Sequence, residues 1–169
     1  MLALRATAQG READAPATDS VFAWIESSGI AQAIASSTAI TGSLSAVHVT
    51  GFMLVTGSAL VANLGSLGVL FRGRPTTELV GPANRAILLG LAISVVTGAL
   101  LFSARATDVS MNGTFRLKML LLIAAALFHF VVHRRAAARG EPVARIATFV
   151  GLALWLALAV TACAFILLE

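Results

Sequence analysis

Five side chains with chemical potential interrupt an otherwise apolar chain: His48, His129, His133, Arg116 and Lys118. Each lies inside, or at the edge of, a long apolar run. Ionisable groups at membrane depth are costly, so each is a candidate functional residue. An imidazole can ligate a metal or haem iron, or exchange hydrogen bonds with a quinone. A neighbouring lysine or arginine adds a positive charge that favours an anion or a carbonyl oxygen.

His48 belongs to the stretch 43–71, SLSAVHVTGFMLVTGSALVANLGSLGVLF, which carries no charged residue. On a helix its neighbours are Leu44, Ser45, Gly51, Phe52, Val55 and Ala59. Small residues among them predict that His48 faces another helix inside a bundle. Gly51 beside it would leave room for a flat ligand such as haem, or for a quinone. Arg116 and Lys118 open a later apolar run that begins on the same side of the membrane. With His48 they are expected to form a partly buried basic pocket for an anion, a quinone carbonyl or a carboxylate on a partner protein.

Lys118, Leu122, Ala125, His129 and His133 fall on one helical stripe. His129 and His133, at i and i+4, could share a metal ion on that face. They are weak metal candidates, because the spans supply no Asp, Glu or second Cys to complete a ligand set. His133 adjoins Arg134 and Arg135 and reads as interfacial. His129 lies deeper. A single haem b clamped by His48 and His129 fits poorly, because a rise of 1.5 Å per residue places them about 15 Å apart in depth. The lone Cys163 gives no disulfide framework. No nucleophile–base pair, phosphate-binding glycine loop or paired carboxylate is visible, so the chain is not expected to be an enzyme on its own.

These residues must be positioned by helices that cross a bilayer. Of 169 residues, 58% are hydrophobic and 12% charged, and the mean hydropathy is +0.90. A soluble domain carries about 25% charged residues. The net charge of +4 does not indicate nucleic acid. The basic residues cluster between apolar runs, where membrane topology and lipid headgroups account for them.

The expected architecture is an all-α, integral membrane, up-down four-helix bundle with an N-terminal interfacial amphipathic helix. Residues 1–18 read as a disordered tail without a cleavable signal. Residues 19–36 read as the interfacial helix, capped by Asp19 or Ser20 and carrying Trp24 at headgroup level. Residues 37–169 hold spans at about 41–66, 85–103, 115–133 and 143–168, each near the roughly 20 residues a bilayer crossing requires. The first span is expected to tilt or break near 63–68 before an extension to Arg72. Arg72 to Pro75 and the pair Gly81-Pro82 mark a loop, and residues 104–113 a second, with Thr114 capping the third span. Ala86, Gly90, Ser94 and Gly98 recur every four residues, a small-residue stripe that permits close helix packing. Arg72, Arg74, Arg85, Arg134, Arg135, Arg139 and Arg145 flank the first and third inter-span loops, against Arg5, Arg11, Arg105, Arg116 and Lys118 on the other side. That bias predicts periplasmic termini in a bacterial inner membrane.

The segments Trp24-Ile-Glu-Ser-Ser28, Ala46-Val-His48-Val-Thr-Gly51, Thr97-Gly-Ala-Leu-Leu-Phe102 and Phe115-Arg-Leu-Lys118 occur in an order that resembles an uncharacterised family of small bacterial four-helix membrane proteins. The likeness covers about 21–133. Members often carry an acidic-basic pair after the first span, where this chain has Asn63 and Gly65. The chain is also loosely similar, in helix count and a few histidines, to membrane modules of the copper-resistance CopD and cytochrome b561 type, a likeness that carries no function by itself; haem b is the one cofactor considered for His48.

The functional expectation is a subunit or accessory of a membrane redox or metal-handling system, with a quinone, haem or anion site at His48. The alternative is a non-catalytic structural partner that packs with other subunits, or with its own copies, through the small-residue stripe and basic loops. A small transporter ranks third, since no inverted repeat and no acidic proton carrier is evident.

Overall fold

The computed structural model describes residues 17–70, 76–133 and 141–168. The N-terminal tail before residue 17, the Arg72–Pro75 loop and most of the third, basic loop lie outside the described residues. So does the side chain of His133. Among the described residues the chain is helical, with no strand. In order, the helices are α1 (Ala17–Glu26), α2 (Gly29–Ala35), α3 (Thr38–Ser66), α4 (Thr76–Ser103), α5 (Ala106–Met111), α6 (Gly113–Leu127) and α7 (Glu141–Leu168). A π-helical turn, Phe128–His133, continues α6.

Four segments are long and apolar enough to cross a membrane: Thr38–Ser66, Gly81–Ser103, Gly113–Val131 and Val143–Ala164. The chain is a multi-pass, all-α bundle, and its surface suits lipid. Leu88, Leu89, Val96, Ile123, Phe149 and Val160 all point outward. The interior is narrow and draws on all four spans: Val55 and Ala59, Ile87, Ala125, then Trp155 and Leu158.

Several local expectations are corrected. The N-terminal helix is two helices, not one, and Asp19 and Ser20 lie within α1 instead of capping it. The break falls at Ser27-Ser28, where the Ser27 hydroxyl donates to the Trp24 carbonyl and Ser28 turns extended to cap α2 through the amide of Ala31. Serine side chains compete for backbone groups in this way and so end one helix and start the next. The pair packs on the bundle by burying Ala31 and Ile34, while Trp24 and Ile30 stay exposed.

α3 begins at the Ser37 cap and runs without a break through Asn63 to Ser66. Gly68, at φ +68°, then ends it. The Val69 amide reaches the Leu64 carbonyl and the Gly68 amide that of Gly65, the paired bonds of a Schellman stop that requires a left-handed residue.

Gly81-Pro82 is helix, not loop. α4 already starts at Thr76 and carries Pro82 in its interior. Proline there forfeits the bond to the Glu78 carbonyl. Burial of Ala83 and Ile87 just beyond it holds the helix through that defect. The polar segment after α4 folds into α5. Asn112, not Thr114, caps α6, accepting from the amides of Thr114 and Phe115.

The tightest seam joins α3 to α4, and the small-residue stripe makes it. A Cβ on Gly90 would lie 2.7 Å from the Gly51 carbonyl oxygen, and one on Gly51 would lie 2.8 Å from both Ile93 and Ser94. Ser94 also directs its hydroxyl at the His48 carbonyl, 3.5 Å away. Gly90, Ser94 and Gly98 are therefore covered by α3 of the same chain and are not free to pack with another subunit. Ala86 lines an open groove with Met53, Gly57 and Pro82.

The bundle is completed by α7, which packs against both α3 and α6. Among the described residues, α4 and α6 make no close backbone approach. Side chains join them instead.

Replacing Gly90 with valine is expected to destabilise the protein by about 1–3 kcal/mol or more, because the backbone contact leaves no room to relax. Gly57→Ala, where an added Cβ meets nothing within 4 Å, is expected to change little. Thermal unfolding in detergent, followed by circular dichroism, compares the two.

Candidate functional site

Polar side chains gather at two depths. The first set surrounds His48. Its Nδ1 lies 3.1 Å from the Thr97 hydroxyl oxygen. Thr97 has one proton to give, and it donates that proton to the Ile93 carbonyl at 2.6 Å. Its oxygen must therefore accept from His48, so the imidazole carries its proton on Nδ1. That leaves Nε2 as the nitrogen with a lone pair for a ligand. A ring held through its other nitrogen is the arrangement that orients histidine for ligation.

Gly98 makes this geometry possible. A Cβ there would approach His48 Cε1 to 3.0 Å and Nδ1 to 3.4 Å, so this edge of the ring lies close against α4 at Gly98. Lys118 enters from α6, half-buried, and its charge acts on the His48 imidazole. One turn before His48, a shallow apolar groove of about 380 Å³, lined by Ala39, Ile40, Ser43, Leu44 and Val47, opens toward the lipid face.

Arg116 does not join this set. It is exposed, and its guanidinium donates to the Ser110 carbonyl at 2.8 Å, with the Met111 sulfur at 3.6 Å. It clamps α5 onto α6. The expectation of a shared pocket failed because the polar run before α6 is itself a helix that offers the arginine a nearer carbonyl. Around it, Phe102 stacks on Phe115 with centroids 5.6 Å apart, and Phe22 meets Phe102 edge-on at 6.0 Å. Glu26 accepts the Thr107 amide at 2.8 Å. The N-terminal pair and α5 thus cover this end of the bundle together.

The second set surrounds His129, which is buried. Its Nε2 donates to the Asn84 carboxamide oxygen at 2.9 Å, tying α6 to α4. Its ring lies edge-on to Trp155 of α7, with centroids 6.2 Å apart. His129 sits in the π-turn, where hydrogen bonds run from i to i+5. The side chain of His133, its proposed partner on a metal, lies outside the described residues. Among the described residues no group of three His, Cys, Asp or Glu could hold a metal ion.

The two histidines mark opposite ends of the bundle. Their partners Thr97 and Asn84 stand on the same helix, 13 positions apart, which is about 20 Å of rise. One haem cannot reach both. Thr97 entered the sequence reading only as part of the Thr97–Phe102 resemblance segment and not as a site residue, and Asn84 and Trp155 were not singled out, since a lone Asn or Trp inside an apolar run carries no motif. The pairing of a histidine with a polar residue at matching depth on a neighbouring helix is the signal that would have found Thr97 and Asn84.

Residues 21–166 match the model of a family of unknown function, DUF6644. The chain belongs to this family. Comparison with curated proteins found no match, and comparison with solved structures found none either. Nothing supports a likeness to CopD or cytochrome b561. In this DUF6644 member, the segments that carry the family resemblance meet in space. His48 and Gly51 face Ser94, Thr97 and Gly98, while Phe102 stacks on Phe115 one turn before Lys118.

Asn84→Leu would remove the carboxamide oxygen that accepts from His129 Nε2–H and so cut the tie between α4 and α6. A loss of about 1–2 kcal/mol is expected, and Asn84→Leu combined with His129→Phe should recover part of it. Unfolding midpoints of the single and double variants in one detergent measure the coupling.

Proposed function

We propose that the chain is a bacterial inner-membrane subunit or accessory of a membrane redox system, and that it binds a lipid-soluble quinone or quinol at His48. The observation that carries this reading is the fixed tautomer of His48. With Nδ1–H donated to Thr97, Nε2 is ready to accept a ligand hydroxyl. Lys118 complements it by favouring a carbonyl or anionic head group. The apolar groove from Ala39 to Val47 suits a hydrocarbon tail arriving from the bilayer. The excess of arginines around the first and third inter-span loops supports a periplasmic position for this end of the bundle.

A haem is the less favoured ligand, because His48 supplies one axial nitrogen and His129 lies at the other end of the bundle. For the structural-partner reading, α3 covers Gly90 and Ser94 of the stripe, which leaves Ala86 and the basic loops as its contact surface.

The protein purified in a mild detergent should release a quinone on solvent extraction, identified by mass spectrometry. His48→Ala should lose it. Thr97→Val, which removes the acceptor that fixes the tautomer, should weaken quinone binding about tenfold, equivalent to about 1.4 kcal/mol. Cys163→Ala, on the exposed face of α7, should retain the ligand. A Soret band that disappears in His48→Ala would identify haem instead. Preparations with neither ligand, or His48→Ala protein that keeps its quinone, would refute the site.

A further inference from the structure

The end of the α3–α4 seam near the first inter-span loop carries two charges that the His48 site does not use. Glu78 lies in the first turn of α4, three residues before the apolar span that opens at Gly81. Arg85 lies four residues inside that span. Both are exposed. Among the described residues neither makes an ion pair, with the other or with any further group. A guanidinium on the lipid face of a span is costly unless it reaches an anion at headgroup level. Long side chains on a helix lean toward its N-terminus, so Arg85 extends toward the headgroups at the start of α4. Seven residues apart, Glu78 and Arg85 fall on one stripe of the helix, about 10 Å apart along its axis. The acid is the outer of the two.

Beside this stripe an open groove of about 460 Å³ follows the seam, lined by Met53, Gly57 and Val61 of α3 and by Glu78, Pro82 and Ala86 of α4. Glu78 is its one charged lining residue. A Cβ on Gly57 would meet nothing within 4 Å, so the groove is bare there. Met53 and Val61, one turn to either side, are both exposed and stand as its walls. A second helix, about 10–12 Å across with its side chains, would have to displace both walls to reach Gly57. A single hydrocarbon chain is slimmer and fits between them.

We propose that this groove binds an aminophospholipid of the bilayer, one whose headgroup joins a phosphate to a primary ammonium, as in phosphatidylethanolamine. The ammonium donates to the Glu78 carboxylate, the Arg85 guanidinium donates to the phosphate, and one acyl chain lies over Gly57. The order of the charges decides the class. In such a lipid the phosphate lies nearer the hydrocarbon and the ammonium farther out, which is the order of Arg85 and Glu78 along α4. A purely anionic headgroup would set like charge against Glu78, and a quaternary ammonium has no N–H to donate. The groove is separate from His48 and does not depend on the quinone reading.

The test mixes detergent-solubilised protein with equal amounts of phosphatidylethanolamine and phosphatidylcholine of the same acyl chains and counts bound lipid by native mass spectrometry. Phosphatidylethanolamine should be retained over phosphatidylcholine by about fivefold, the upper range for an exposed ion pair. Glu78→Gln, an exposed and isosteric change, should bring the two lipids to equal retention. Gly57→Leu, which fills the bare stretch of the groove, should lose both lipids while the helical signal in circular dichroism persists; if that variant fails to fold, Glu78→Gln decides alone. Equal retention by the unaltered protein would overturn the proposal, as would a preference that survives Glu78→Gln or lipid that survives Gly57→Leu. Preferential retention of phosphatidylglycerol would also overturn it and assign the binding to Arg85 alone. A dimer that Gly57→Leu breaks would show that a second copy of the chain occupies the groove instead.

Discussion

The contact between the backbones of α3 and α4 at Gly51 and Gly90 is the constraint from which the His48 site follows. A carbonyl oxygen lies where any other side chain would begin. In a bilayer, apolar burial between helices gives little driving force, because lipid is as apolar as leucine. Close approach compensates by maximising dispersion contacts and by bringing polar groups within bonding range. Here it delivers the Ser94 hydroxyl to the His48 carbonyl and the Thr97 hydroxyl to the His48 ring. The tautomer of His48 is thus set by helix packing two turns away.

The remaining helices are joined more loosely and by different means. α7 packs against α3 and α6, but α4 and α6 meet through side chains alone. At one end the joint is aromatic, Phe102 on Phe115, and at the other it is polar, Asn84 to His129. Two histidines of similar appearance in sequence therefore have different work. His129 spends its Nε2–H on holding two helices together. His48 is held through Nδ1 and presents its other nitrogen.

The four spans were legible because long apolar runs bounded by arginines have few other physical explanations. His48 was legible for a related reason, as an isolated ionisable group among small residues. What escaped were features decided by a partner distant in sequence. Gly81-Pro82 reads as a turn, but burial of Ala83 and Ile87 overrides the proline. Arg116 reads as a pocket residue until α5 supplies a carbonyl at 2.8 Å. Asn84 has no signature of its own and becomes meaningful only opposite His129. The π-turn at 128–133 likewise shifts the register that an α-helical stripe assumes.

The glycine-lined seam also bears on how the molecule is made. α3 and α4 are consecutive, and their closest contacts lie between residues 48 and 98. Everything this pair needs from the chain has been synthesised before α6 begins. The first two spans can therefore leave the translocon as a docked hairpin, already carrying an ordered His48. The second pair is then added to a finished template, and its few side-chain pins to α4 are set last.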